Sequence, residues 1–291
     1  MTLKMRLLFF IIFLIGLSST ESNAVIGSAS VAMPRNQDRF FIIEVIINKK
    51  HSARLIVDTG ASETILTNWL AKDINLVSSK SNEASADASG KPFPVFRAKV
   101  TIFAIGSHSR NNLSLPVVNI PSFKKEDGIA GLFSPQSFFA GMPILIDFPN
   151  AKLRWGDDAD ISKKRTLASI NVQPCLRHRS SPLINLNING VPGKFLIDTG
   201  GFKSVLTNAF AKKLGTLSKK TSSRTGISGK RKVESVQNLK VELQSISSFL
   251  SADIEEKANG CPEADGKLGI DWISNYGLFI SSDRKNISLV N

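Results

Sequence analysis

The chain is poor in the residues around which most hydrolytic sites are built: its 291 residues include three histidines, two cysteines and one tyrosine. His51, His108 and His178 are scattered, with no second ligand at a useful offset, and the cysteine spacing suggests no metal, so no metal site is expected. No Gly-x-Ser-x-Gly motif occurs, which argues against a serine hydrolase as the scattered histidines argue against a zinc one. Acidic residues are scarce as well, 24 against 37 Lys and Arg, for a formal net charge of +13. The basic clusters Lys163-Lys164-Arg165, Lys219-Lys220 and Lys230-Arg231-Lys232 lack interleaved aromatics, so nucleic acid is not an expected partner. They read as solvated turns and loops, with attraction to anionic surfaces as the alternative. No apolar run of membrane-spanning length follows the N-terminus, so no stable membrane insertion is expected once that segment is removed.

The N-terminus itself is distinctive. Lys4 and Arg6 precede an apolar run over residues 7–17, and Ser22-Asn23-Ala24 then offers a small-x-small ending. Residues 1–24 therefore read as a cleaved signal peptide, its apolar core too short to span a bilayer, and a secreted or periplasmic location is expected. Export permits a bridge between Cys175 and Cys261; two buried free thiols are the alternative.

An internal repeat organises the rest. Residue i in one copy matches i + 140 in the other: Asp58-Thr59-Gly60 with Asp198-Thr199-Gly200, and Leu66-Thr67-Asn68 with Leu206-Thr207-Asn208. Non-identical positions keep their character, as in Leu55-Ile56-Val57 against Phe195-Leu196-Ile197. The period is too long for a solenoid and implies two copies of one domain. Each copy reads as β-rich. Apolar strands over residues 40–47 and 183–188, followed by turn-forming residues, put each triad at the end of a hairpin, and a short helix is expected after each. A second shared segment pairs Asp127-Gly128-Ile129-Ala130-Gly131-Leu132 with Asp265-Gly266-Lys267-Leu268-Gly269-Ile270, ahead of a closing hairpin in each half. The polar stretch between the halves reads as a linker.

A lone Asp-Thr-Gly is ordinary turn vocabulary. Here each triad follows a fully apolar strand, an unfavourable place for an isolated charge. Two carboxylates brought together by related lobes cannot both ionise easily, so the pair holds one proton and offers a base and an acid at once. Gly60 and Gly200 let the backbone turn tightly beside the carboxyls, and the Thr59 and Thr199 hydroxyls are placed to bond across the axis.

With two such triads the chain resembles the aspartic proteases, the pepsins and retropepsins, over nearly all of its length from about residue 40 onward. Proton sharing by this family's dyad is itself a standard illustration of coupled carboxylates. The resemblance implies an all-β fold of two homologous pepsin/retropepsin-like lobes with a cleft between them. The lobes would be residues 25–156 and 178–291, with a linker over 157–177. It implies an aspartic endopeptidase acting on peptide or protein substrates, without metal or organic cofactor. Asp58 and Asp198 would be catalytic, with Thr59, Gly60, Thr199 and Gly200 supporting the loops, and Ile129-Ala130-Gly131 and Leu268-Gly269-Ile270 packed behind them. Flaps would surround Ser89, Gly90 and Lys91 in the first lobe and Gly226 and Gly229 in the second. Pepsin-like enzymes usually carry Ser or Thr right after each triad. Ala61 and Gly201 stand there instead, as in retropepsins, which implies higher dyad pKa values and a mildly acidic optimum. Phe202 adds bulk beside the second carboxylate, and a catalytically inactive binding or inhibitor protein of the same fold is the competing reading.

Overall fold

The computed structural model describes residues 29–81, 85–86, 92–175, 181–215, 218–226, 229–258 and 261–291. Each half begins with the expected hairpin. Ile42–Ile47 alternates from Ile43 onward, with Ile43, Val45 and Ile47 buried in the main core and Ile42 buried as well, and pairs antiparallel with His51–Val57. Its twin pairs Pro182–Ile188 with Val191–Ile197. Both hairpins turn on a pair of residues with positive φ, Asn48-Lys49 (53° and 60°) in the three-residue loop between Ile47 and His51, and Asn189-Gly190 (49° and 78°) in the two-residue loop between Ile188 and Val191, the left-handed backbone that tight hairpin turns favour. The asparagine side chains finish the turns alike: Asn48 Oδ1 accepts from the Thr101 N–H at 2.9 Å and Asn189 Oδ1 from the Lys240 N–H at 2.8 Å.

In the first half the hairpin continues through Ile129–Phe133, Ile65–Thr67, His108–Val118 and Phe96–Ile105, and pairing of the last with Ile42–Ile47 closes a six-stranded barrel. The second half closes in the same way through Gly266–Leu268, Ser204–Thr207, Ile246–Glu255 and Gly229–Leu243. After each triad a short helix follows, Asn68–Asp73 or Asn208–Lys213. Its N-cap is Thr67 or Thr207, whose hydroxyl accepts the N–H three residues on.

A third, six-stranded sheet belongs to both halves, in the order Ser30–Ala32, Lys152–Trp155, Ile144–Asp147, Gly277–Ile280, Asn286–Val290, Thr166–Asn171. The halves meet where Leu145 pairs with Phe279 and Ile146 with Leu278. Arg284 of the last hairpin adds a clasp, donating to the Gln136, Phe139 and Met142 carbonyls of the first half at 3.1, 2.6 and 2.8 Å. One hydrophobic core accordingly runs from Met33 to Leu289 through both barrels.

Two sequence expectations change. The stretch 157–177 carries the strand Thr166–Asn171, paired with Asn286–Val290. Its alternation is short but real, with Ala168 and Ile170 buried and Ser169 and Asn171 exposed, and the preceding basic cluster masks it. The second shared segment is in a different register. Gly131 lies opposite Leu66 as Gly266 lies opposite Leu206, so the true equivalents are Gly131-Leu132-Phe133-Ser134 and Gly266-Lys267-Leu268-Gly269. The Asp-Gly pairs that suggested the other alignment are three residues out of step, because Gly128 closes a 3-10 turn (φ 66°) while Gly266 lies within a strand.

Cys175 and Cys261 form a disulfide, with Cα atoms 5.6 Å apart. Among the described residues, the one group of His, Cys and acidic side chains close enough to share an ion is Cys175, Cys261 and Glu263. The bridge removes the two thiolates such a site would use.

Candidate active site

The two triads come together at the axis relating the barrels. Each aspartate leaves its hairpin with its own N–H held by the segment behind it: Asp58 N donates to the Phe133 carbonyl at 2.8 Å and Asp198 N to that of Leu268 at 2.9 Å. Both side chains are buried, with 7% and 9% of residue surface exposed. A Cβ on Gly60 would stand 2.6 Å from Asp198 Oδ1 and 3.1 Å from Asp58 Oδ1, so both carboxyls reach the same small volume. Across the axis, a Cβ on Gly200 would collide with the Asp58 carboxyl. Glycine at both positions is thus a matter of space, each facing the other lobe's acid.

The threonines lock the two loops with four buried bonds. Thr59 Oγ1 donates to the Ile197 carbonyl at 2.7 Å and accepts from Thr199 N at 3.2 Å; Thr199 Oγ1 donates to the Val57 carbonyl at 2.7 Å and accepts from Thr59 N at 3.0 Å. Every donor and acceptor in this set is satisfied by the opposite lobe. Thr199→Val keeps the shape and strands a buried N–H and a buried carbonyl, so it is expected to lower unfolding free energy by about 2–4 kcal/mol in denaturant melts.

Support behind the loops comes from Ser134 and Gln136, which the sequence reading passed over. Ser134 Oγ donates to the Ala61 carbonyl at 2.8 Å, and Gln136 Nε2 to the Thr59 carbonyl at 2.8 Å. In the second lobe Ser204 does related work, donating to Asp271 Oδ1 at 2.7 Å and accepting from Gly269 N at 3.0 Å. The three-residue register shift had hidden this layer.

The electrostatics of the two acids differ. Asp58 Oδ1 accepts the N–H groups of Gly60 and Ala61 at 2.7 and 3.1 Å. Burial, and next the charge of Asp198, push its carboxyl up to about 7, against the opposing pull of the Gly60 N–H, Lys267 and the Ala61 N–H. Asp198 Oδ2 instead accepts from the ammonium of Lys267 at 2.9 Å, and only 16% and 13% of the two side chains is exposed. Burial pulls Lys267 down, but Asp198, Asp58 and Glu255 outweigh it and the ammonium is held above its ordinary value. Neither the contact nor its partner was evident from the sequence. The available signal was a single cation in an otherwise apolar segment.

The sequence model of the aspartyl protease family matches the chain twice, over residues 43–134 and again over 184–272, once on each barrel. The chain belongs to the aspartyl proteases. A solved structure of the same architecture, an aspartic proteinase from Irpex lacteus, superposes with a TM-score of 0.59, covering 90% of this chain and 97% of that one at 14% identity. No curated protein matches the sequence. In this aspartyl protease the Phe202 ring stands edge-on to Phe40 of the first lobe, with centroids 6.3 Å apart, so its bulk contributes to the contact between lobes. Gly226 pairs with Gly229 where Lys219–Gly226 meets Gly229–Leu243, an arm at the tip of the second barrel's sheet. Ser89, Gly90 and Lys91 lie outside the described residues. Tyr276 packs against Trp272, ring centroids 5.3 Å apart, near the C-terminal end of the chain.

Proposed function

We propose that this aspartyl protease is an endopeptidase that hydrolyses peptide bonds with a water activated by Asp58 and Asp198. The observation that carries the reading is the convergence of two buried carboxyls whose loops are cross-bonded by Thr59 and Thr199. Two acids in one volume favour the state with a single proton. The carboxylate takes a proton from the water, whose oxygen adds to the scissile carbonyl carbon, while the acid gives its proton to the carbonyl oxygen. The first carboxyl then delivers the water's proton to the departing nitrogen, and the other recovers one from the diol as the C–N bond breaks. The pair ends in its starting state and the reaction consumes only water. Substrates are peptide or protein chains bound in extended form, and the N-terminal signal directs the enzyme to a secreted or periplasmic location.

An Asp58 carboxyl lifted to about 7 supports activity in mildly acidic solution, where that group still holds its proton. Gly201 offers a way to move the window. A Cβ there would lie 3.6 Å from Asp198 Oδ2, ordinary contact, so a serine hydroxyl can reach the carboxylate and favour its charged form. Gly201→Ser is expected to extend activity to lower pH by roughly 0.5–1 unit in a pH–rate profile.

The reading is tested by incubating a denatured protein mixture with the purified chain from pH 3 to 8, with Asp58→Asn and Asp198→Asn alongside. Cleavage lost in both variants supports the shared dyad. A folded wild-type chain that cuts at no pH identifies a binding protein of this fold instead.

A further inference from the structure

The two lobes treat equivalent positions beside their aspartates differently. Leu132 in the first lobe packs with Ile42, Ile56 and Ile129 on the barrel face away from the main core. The equivalent residue in the second lobe is Lys267, placed between Leu196 and Val205 by the same strand pairing. A lysine on so buried a face requires a counter-charge. It reaches the dyad itself, at Asp198 Oδ2, the oxygen that a hydroxyl at position 201 would approach.

We propose that Lys267 is a positioning residue that settles which acid carries the proton: its ammonium keeps Asp198 ionised as the base and leaves the proton on Asp58 as the acid. The inference rests on reading the pair as a catalytic dyad and adds the assignment of roles. Two like carboxyls related by a twofold axis share a proton equally. A cation bonded to one of them removes the equivalence, because it stabilises the charged form of its neighbour more than that of the farther acid. The other charged groups around the pair do not restore the balance. Glu255 on the strand Ile246–Glu255 acts on the Lys267 ammonium less than Asp198 and Asp58 do, so it weakens the lysine's field without cancelling it; Lys203 pairs with Asp271 at 4.0 Å, and Asp58 Oδ1 takes its hydrogen bonds from backbone N–H groups.

The test compares wild type with Lys267→Leu, which installs the residue of the equivalent first-lobe position, and Lys267→Arg, which keeps the charge. In pH profiles of kcat/KM for a peptide substrate, Lys267→Leu is expected to move the acid limb up by about 1–3 units and the alkaline limb in the same direction, and Lys267→Arg to restore the wild-type position. A fall in rate with both limbs in place would mean that Lys267 only supports the fold, and would overturn the proposal. Carboxyl carbon NMR on aspartate-labelled protein reads the same property without turnover, the two resonances being assigned from Asp58→Asn and Asp198→Asn. Separate titrations in wild type that converge in Lys267→Leu support the assignment, and identical titrations in both proteins overturn it. If wild type cleaves nothing yet the resonances separate as expected, the protease reading fails while the charge assignment stands.

Discussion

Asp58→Asn is expected to abolish hydrolysis and, in the same molecule, to raise stability above neutral pH. The loss of rate should be at least about 10³-fold, since the carboxamide can neither give the proton nor recover it. The stability gain follows from linkage. The Asp58 carboxyl sits at about 7 in the folded protein against an ordinary 3.8. Between those values the folded protein holds a proton that the unfolded chain has released. That contribution to stability is complete below the ordinary value and is lost as pH rises through the folded one. Asparagine stays neutral throughout, so the variant should match wild type near pH 4 and melt roughly 3–8 °C higher at pH 8. Asp198→Asn is expected to behave oppositely in stability while equally inactive. It leaves the Lys267 ammonium without its hydrogen-bonded carboxylate on a buried face, at a cost of about 2–3 kcal/mol. Thermal melts of the two variants at pH 4 and 8 check both signs, and equal shifts would remove the asymmetry argued for the pair.

Gly200→Ala carries the second large effect. Its added methyl would fall on the Asp58 carboxyl from the opposite lobe. Relief cannot come from the loop, because Thr199 is bonded to Val57 and Thr59, nor easily from Asp58, whose Oδ1 is held by two N–H groups. The acid must therefore turn away from the shared volume. A displacement of about 1 Å at a reacting group costs on the order of 10²-fold, so kcat should fall at least that far with the fold retained. Circular dichroism and kinetics on one preparation decide the matter; near wild-type kcat would show that the loops yield more readily than the bonding implies.

Much of this was legible in the residues. The repeat exposed both triads, both hairpins and both short helices, because those features depend on short local patterns: runs of apolar residues and turn-forming residues between them. What lay hidden depends on contacts between distant segments. The strand Thr166–Asn171 has a partner only because the C-terminal hairpin passes beside it. The second shared segment was aligned on Asp-Gly, a dipeptide serving turn and strand alike, whereas the correct register is defined by pairing to Leu66 and Leu206. In that register Lys267 stands against Ile129 rather than Leu132, and its contact to Asp198 depends on how the strands pair, which the residues alone do not carry. Ser89, Gly90 and Lys91, where a first-lobe flap was expected, lie outside the described residues.

The sheet that joins the halves has an implication for how such a molecule could be divided. Ile144–Asp147 is buried along all four residues, and it pairs antiparallel with Gly277–Ile280, its counterpart in the other copy. Cut away from its partner, that strand would present a bare, apolar edge of the kind that seeks another chain. The pairing it lost was with the strand in the corresponding position of the other copy. The chain most able to fill the gap would thus be a second identical half, entering through a self-complementary contact and bringing an Asp58 of its own.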